Sequence, residues 1–373
     1  MHSPHLPGRR NVWVVVRPYL NVFDFTLLLL VCLILAISVV NMVSAGSGFP
    51  GRLEDHIRNI GLALLIIWLA ALVPPQALMR LAAPLYLVGV TLLVGVALFG
   101  IIKLGARRWI NIGVVIQPSE IMKIAMPLML AWWFQKREGV ITWQEFVVAG
   151  VLLAVPAALI IRQPDLGTGT LVTAAGFYVI FLAGLSWKVL VGLIAAAAAF
   201  MPIAWNLLHD YQRHRIMTLI DPTTDPLGKG FHIIQSTIAI GSGGIPGKGW
   251  MNGTQGHLQF IPERTTDFVF AVFSEEFGLI GNLVLLTLYL LLIGRGLMIA
   301  ANAPTLFSRL LAGAVTMMFF TYAFVNMGMV SGILPVVGVP LPFMSYGGTA
   351  FVTLGLGIGI LMSIQRHRKL IQS

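Results

Sequence analysis

Pro262-Glu263-Arg264-Thr265-Thr266-Asp267-Phe268 closes a long polar stretch and opens an apolar run that continues to about residue 293. A helix needs about 20 predominantly apolar residues to cross the ~30 Å hydrocarbon core of a bilayer, and this run is long enough. The junction therefore predicts a chain that passes from water into lipid just after Asp267. Nine further runs of the same kind surround it. Within lipid, only helices and closed barrels satisfy their backbone groups. Barrel strands alternate apolar and polar residues, whereas these runs are apolar all round, so they read as helices. The sequence predicts an all-α, polytopic integral membrane protein of about ten transmembrane helices, near 22–43, 56–73, 77–102, 118–135, 144–161, 167–184, 187–208, 268–293, 307–331 and 346–364. These form a single membrane domain over residues 1–373, with one large extracytoplasmic loop at about 209–267.

Composition agrees. Of 373 residues, 57% are hydrophobic and only 10% charged, against about 25% charged in soluble domains, which leaves no material for a conventional soluble domain. A net charge of +10 in a soluble protein would suggest nucleic acid. Here the bias has another cause, and no nucleic-acid partner is expected. Arg9, Arg10, Arg17, Arg80, Lys136, Arg137, Lys188, Arg295, Arg309, Arg366, Arg368 and Lys369 all fall on the side that an even span count gives to both termini. Basic residues favour the cytoplasmic side, so both termini are predicted to be cytoplasmic. The single cysteine, Cys32, excludes an intramolecular disulfide and reads as a small core residue. The first apolar run is too long for the core of a signal peptide and is read as a retained span.

The 209–267 loop ends in the glycine-rich run Gly241-Ser242-Gly243-Gly244-Ile245-Pro246-Gly247-Lys248-Gly249-Trp250, which is not expected to form regular structure. Within that loop, 231–240 is apolar but too short to span, and predicts an interfacial or re-entrant helix. The last outer loop, 338–349, contains no acid or base, and its prolines and glycines read as architecture.

Several charged residues break the pattern. Lys103, Arg107 and Arg108 crowd into a short outer loop, and Arg162 lies in another. Cations on the outer side suit an anionic ligand at that leaflet, such as a lipid phosphate or diphosphate. Glu120 and Lys123, after Gln117-Pro118-Ser119, share a helix face at the start of the fourth span. Ionisable groups in spans point to function, although a self-neutralising pair is the alternative. Asp165, in Gln163-Pro164-Asp165-Leu166-Gly167-Thr168, either starts a helix or faces the same cavity as Glu120. Asp267 carries the sharpest ambiguity. Caps are common, and Thr266-Asp267 before an apolar run suits a capped helix start. A general base at a water–lipid boundary would look the same. Glu275 and Glu276 lie about two turns further along, ~12 Å deeper on a continuous helix.

Five stretches in order, Gly105-Ala106-Arg107-Arg108-Trp109-Ile110, Gln117-Pro118-Ser119-Glu120, Gln163-Pro164-Asp165-Leu166-Gly167-Thr168, Pro262 to Phe268, and Pro342-Phe343-Met344-Ser345-Tyr346-Gly347-Gly348, sit on this ten-span frame. With them the chain resembles the SEDS family (shape, elongation, division and sporulation proteins) along nearly its whole length. Gly230 to Ser236 and Asn252-Gly253-Thr254-Gln255 are most similar to the elongation branch.

The resemblance implies a peptidoglycan glycosyltransferase that polymerises lipid II at the bacterial cytoplasmic (inner) membrane. It implies a class B penicillin-binding protein, a transpeptidase, as partner, together with other membrane proteins of the elongation complex. It implies Asp267 as the catalytic residue, read as the general base, Arg108, Glu120 and Lys123 as functional residues, and Asp165 as a further functional acid. On this reading Arg107, Arg108 and Lys123 steady the diphosphate, while Glu120 orients Lys123 or holds a divalent cation such as Mg or Mn. The sequence carries no dedicated metal motif. Two other functions are weighed against this one. A lipid II flippase or transporter would use Glu275 and Glu276 for coupling, and a non-catalytic scaffold would merely recruit the transpeptidase. One-sided polar loops and no visible inverted repeat favour the enzyme.

Overall fold

The computed structural model describes residues 22–371 except 104–105, 112, 114, 208–209, 226–227, 258–259 and 262. Arg9, Arg10, Arg17, Gly105 and Pro262 lie outside the described residues, as do the side chains of Lys103 and Lys369. In chain order the elements are α1 (Phe25–Ala45), α2 (Arg52–Leu72), α3 (Pro75–Phe99), β1 (Ile101–Lys103), β2 (Ala106–Asn111), β3 (Val115–Ile116), α4 (Pro118–Gln135), α5 (Trp143–Arg162), α6 (Leu166–Leu182), α7 (Trp187–Leu207), α8 (Asp210–Ile220), a 3-10 turn (Pro222–Thr224), α9 (Lys229–Gly243), α10 (Thr254–His257), α11 (Val269–Ala301), α12 (Leu306–Val330) and α13 (Gly348–Ile371).

The helices α1–α7 and α11–α13 fall where the ten spans were expected, and α4 begins and ends on the expected residues. Among the described residues α1, α2, α3, α5, α11, α12 and α13 are long and apolar enough to cross a membrane, while α6 and the apolar part of α7 are shorter. The chain is a mostly helical, multi-pass membrane protein. Its centre is α4 and α12, which are buried along most of their length. Around them pack α6, α11 and α13, and α13 also lies along α2. By contrast α7 is exposed along nearly its whole length, and an apolar helix of that kind is stable where lipid covers it.

Three expectations change. The all-α class stands, but residues 101–116 add a small antiparallel sheet of order β1-β2-β3 that was not expected. Ile101 and Ile102, expected at the end of the third span, pair instead with Trp109 and Arg107. Strands of two to six residues are too short for alternation to register beside flanking spans. Second, residues 209–267 are not one loop, since α8, α9 and α10 lie within them. The expected short apolar helix is the middle of α9, which packs on α11. The first residues of the glycine-rich run continue α9 as far as Gly243. A Cβ at Gly243 would stand 2.2 Å from the Ser274 carbonyl oxygen, so glycine permits that packing.

Third, α11 is not a continuous rod. Gly278 has φ 62° and ψ −158°, a region open essentially to glycine alone. The groups freed by this break are taken up by the 244–249 turn. Lys248 N and Gly249 N donate to the carbonyls of Glu275 and Glu276, while Leu279 N and Ile280 N donate to those of Gly244 and Ile245. Glu275 and Glu276 therefore end a short segment, 269–277, rather than lying two turns down one straight helix. Both are buried. Glu275 accepts from Lys248 Nζ at 2.7 Å and from the backbone N–H of Thr254 and Gln255. Glu276 accepts from Ser44 Oγ at the end of α1. These contacts tie the segment to its surroundings, as buried carboxylates require.

A Cβ at position 278 would lie 2.3 Å from Gly247 N and 2.6 Å from the Ile245 carbonyl oxygen. Gly278→Ala is expected to destabilise the protein by ~1–3 kcal/mol, read as a lower unfolding temperature of the detergent-purified chain. An unchanged temperature would mean that the break heals into regular helix.

Candidate active site

The site begins where α4 begins. Pro118 occupies the first turn, where its missing N–H is harmless, and Glu120 in the same turn complements the helix dipole. One turn on, Lys123 Nζ donates to Glu120 Oε1 at 2.6 Å. Lys123 is only 3% exposed, and its ammonium lies 5.4 Å from the centroid of the Tyr322 ring. Glu120 Oε2 accepts from Thr353 Oγ1 of α13 at 3.2 Å. Both oxygens of the acid are thus engaged.

Asp165 does both things that its sequence context allowed. It caps α6, accepting from Thr168 N at 3.2 Å, and it faces the same space as Glu120. Its other oxygen accepts from Gln117 Nε2 at 2.8 Å, and Arg108 NH1 stands 3.9 Å from Oδ1. Arg108 also donates to the carbonyls of Gln163 and Pro164. The sheet explains why Arg107 does not join it, because successive strand residues point to opposite faces. Arg107 is exposed, donates to the Ala97 carbonyl at 3.3 Å, and is not among the residues that line the cavity.

Asp267 is not a helix cap. Phe268 takes the cap position of α11 without any side-chain cap, and no acid lies in the first turn. Asp267 instead belongs to the turn 263–268, which the last loop holds from behind. Asn326 Nδ2 donates to the Asp267 carbonyl at 2.8 Å and to the Val339 carbonyl at 2.7 Å. Tyr346 N donates to the Thr265 carbonyl at 2.8 Å, and Ser345 Oγ to the Thr266 carbonyl at 2.6 Å. Gly338, at φ 75°, faces the carboxylate, and a Cβ there would come within 3.2 Å of Asp267 Oδ2.

Asp267, Arg108, Glu120, Lys123 and Asp165 converge on one cavity of about 780 Å³. Gln117, His232, Glu263, Thr266 and Tyr346 also line it. Against two cations, Arg108 and Lys123, stand four carboxylates, Glu120, Asp165, Glu263 and Asp267, a formal charge of −2 with His232 neutral. An apolar groove of about 430 Å³ adjoins it, lined by Leu85, Ile121, Ile124, Val352 and Leu356 and sharing Gln117, Glu120 and Thr349 with the polar cavity. Among the described residues no group of three or more His, Cys, Asp or Glu side chains could hold a metal ion. Glu120 is engaged by Lys123 and Thr353.

Reading the sequence for charge alone passes over some of these groups. His232, on α9, stacks on Phe268 with ring centroids 5.5 Å apart. Asn326 and Thr353 are buried polar residues inside apolar helices, and an amide or hydroxyl in a span was the available signal. Tyr346 lay in a loop expected to be architectural, and it is both architecture and cavity wall.

The chain matches the cell cycle protein family of FtsW, RodA and SpoVE over residues 19–370. It is 49% identical over 367 residues to the peptidoglycan glycosyltransferase MrdB of Escherichia coli K12, covering 98% of each chain. It is 38% identical to the stage V sporulation protein E of Bacillus subtilis 168 over 275 residues, 72% of this chain and 74% of that one. In three dimensions it resembles a chain of a peptidoglycan synthase complex that coordinates polymerization and crosslinking, with TM-score 0.79 and 37% identity over 93% of this chain and 98% of that one. It also resembles the rod shape determining protein RodA of Thermus thermophilus, with TM-score 0.69 and 31% identity over 93% of this chain and 97% of that one. The protein belongs to the FtsW/RodA/SpoVE family.

Proposed function

We propose that this chain is a peptidoglycan glycosyltransferase that polymerises lipid II into β-1,4-linked glycan during cell elongation. One observation carries the reading: a polar cavity that joins Asp267 to Arg108 and Lys123 continues into an apolar groove. Lipid II combines a sugar-peptide, a diphosphate and a polyprenyl tail, and these three chemistries match the carboxylate, the cations and the groove. The 49% identity to a protein named for this activity supports it.

In the proposed reaction Asp267 accepts the proton of the acceptor's GlcNAc 4-hydroxyl. The freed oxygen attacks the anomeric carbon of the donor MurNAc, and the bond to the polyprenyl diphosphate breaks with its electron pair. One inverting displacement converts the α-linked donor into a β-1,4 link. Arg108 and Lys123 steady the charge that gathers on the leaving diphosphate. Arg107 has no part in this step, because it does not reach the cavity. Glu120 orients Lys123, and Asp165, held by Gln117 and the α6 N-terminus, fixes Arg108.

On this reading the site faces outward, the ten long helices span the bacterial cytoplasmic (inner) membrane, and both termini are cytoplasmic. The chain works beside a class B penicillin-binding protein, supported by the likeness to a chain of a polymerization and crosslinking complex, and beside other membrane proteins of the elongation machinery. The transporter reading loses its coupling groups, since Glu275 and Glu276 are committed to neighbouring contacts.

Asp267→Asn is expected to lower polymer formation from purified lipid II by ~10²–10⁴-fold, the usual contribution of a general base. Undiminished polymer would remove Asp267 from that role, and lipid scrambling without polymer would favour the transporter. Arg108→Ala should slow turnover at limiting lipid II about 10- to 100-fold, as loss of hydrogen bonds to a charged group does. An unchanged rate in that variant would detach it from the diphosphate. Glu120 and Lys123 are proposed to act as a pair without a bound metal, so a chelator should leave the rate unaltered. A strict need for Mg²⁺ or Mn²⁺ would make Glu120 a cation ligand instead.

A further inference from the structure

The polar cavity is short of positive charge for the substrate proposed. Its ionisable groups sum to −2 with His232 neutral, and Arg108 and Lys123 are each already set against a carboxylate. Polymerisation brings two anionic substrates together. A further cation at the cavity's edge would offset this deficit.

One stands beside Tyr346, a cavity-lining residue. The Arg52 guanidinium lies over the Tyr346 ring, 4.2 Å from its centroid, and 4.9 Å from the centroid of Phe49. The buried Arg264 guanidinium stands 4.9 Å from the same Phe49 ring, so the two cations lie within about 10 Å of each other. Arg264 Nε donates to the Ala45 carbonyl at the end of α1 at 2.9 Å, which accounts for its position.

Arg52 has no such anchor. Among the described residues its side chain forms neither an ion pair nor a hydrogen bond, although a guanidinium carries five N–H donors. Of the two acids in the first turn, Glu54 and Asp55, Asp55 is occupied, accepting from Arg58 at 2.8 Å and from the Tyr346 hydroxyl at 3.2 Å, and Glu54 makes no ion pair with Arg52. Arg52 is also the first residue of α2, where the helix dipole disfavours a cation. Set over both rings, the guanidinium is held without spending its N–H donors, whose fork suits a carboxylate or phosphate.

We propose that Arg52, braced by Phe49 and Tyr346, forms a second anion-binding subsite that holds an anionic group of lipid II beside the Asp267 cavity. The inference rests on the polymerase reading. The anion is either the diphosphate of the second lipid II molecule or a carboxylate of its peptide stem.

The test uses the full-length chain with its transpeptidase partner and purified lipid II. Arg52→Gln should raise the lipid II concentration needed for half-maximal polymerisation about tenfold, with the maximal rate changed less than about twofold, and Arg52→Lys should recover most of the loss. In the unmodified protein, lipid II should shield Arg52 from phenylglyoxal, read by mass spectrometry, so the outcome does not hang on a variant that folds. Lipid II with amidated stem carboxylates separates the two sources. If the wild type shows the tenfold shift with that substrate, a stem carboxylate is the ligand. If only Arg52→Gln shows it, the diphosphate is the ligand. Wild-type substrate dependence in Arg52→Gln, no better behaviour in Arg52→Lys, or unshielded Arg52 would each overturn the subsite while leaving the polymerase reading intact. A wild-type protein that makes no polymer would sink that reading and the subsite together.

Discussion

A single buried amide holds the site in shape. Asn326, on α12, uses its side-chain nitrogen to join the carbonyl of Asp267 to that of Val339. Separating those two segments would leave buried polar groups unpaired, which costs about 1–3 kcal/mol for each group. Ser345 Oγ and Tyr346 N repeat the connection one and two residues upstream, at Thr266 and Thr265. The loop is stiff in turn. Tyr289 Oη donates to the Pro342 carbonyl, and Phe343 is buried with φ 59°, an unusual state that persists only when its surroundings over-determine it. The position of the Asp267 carboxylate is thus inherited from α11, α12 and the last loop together.

The charges follow a second rule. Arg108 meets Asp165, and Lys123 meets Glu120, because a buried ion without a partner is strongly unfavourable in a low-dielectric surround. A site built from such pairs is stable when empty of ligand but has little net pull on an anion. An incoming diphosphate has to compete with the resident carboxylates for the same N–H groups. The weak 3.9 Å contact of Arg108 with Asp165 is easier to exchange than the 2.6 Å bond within the Glu120–Lys123 pair. Arg108 can release the carboxylate while the Gln163 and Pro164 carbonyls keep it in place.

Much of this was legible in the sequence, for reasons that can be named. The long apolar helices announce themselves because an unbroken apolar run of about 20 residues matches the thickness of a bilayer's hydrocarbon core. Glu120, Lys123, Asp165 and Arg108 stood out as charges in apolar or wrong-sided positions, and they meet at one cavity. Arg107 misled because proximity in sequence says nothing about which face of a strand a residue occupies. The sheet was missed because its strands are so short. Glu275 and Glu276 were misplaced because helical periodicity carries no mark of a break, and Gly278 became conspicuous only once its backbone angles were known. The helices within 209–267 were hidden by glycines that serve close packing, as Gly243 does against Ser274.

The break at Gly278 has a mechanical consequence. It divides α11 into a long shaft, 279–301, and a short arm, 269–277, that begins two residues after Asp267. The turn 244–249 is spliced into the joint by four backbone hydrogen bonds, two to each piece, and Lys248 adds a side-chain bond to the arm. The 244–249 turn, remote in sequence from Glu120 and Arg108, is therefore part of the support of the segment that begins beside Asp267.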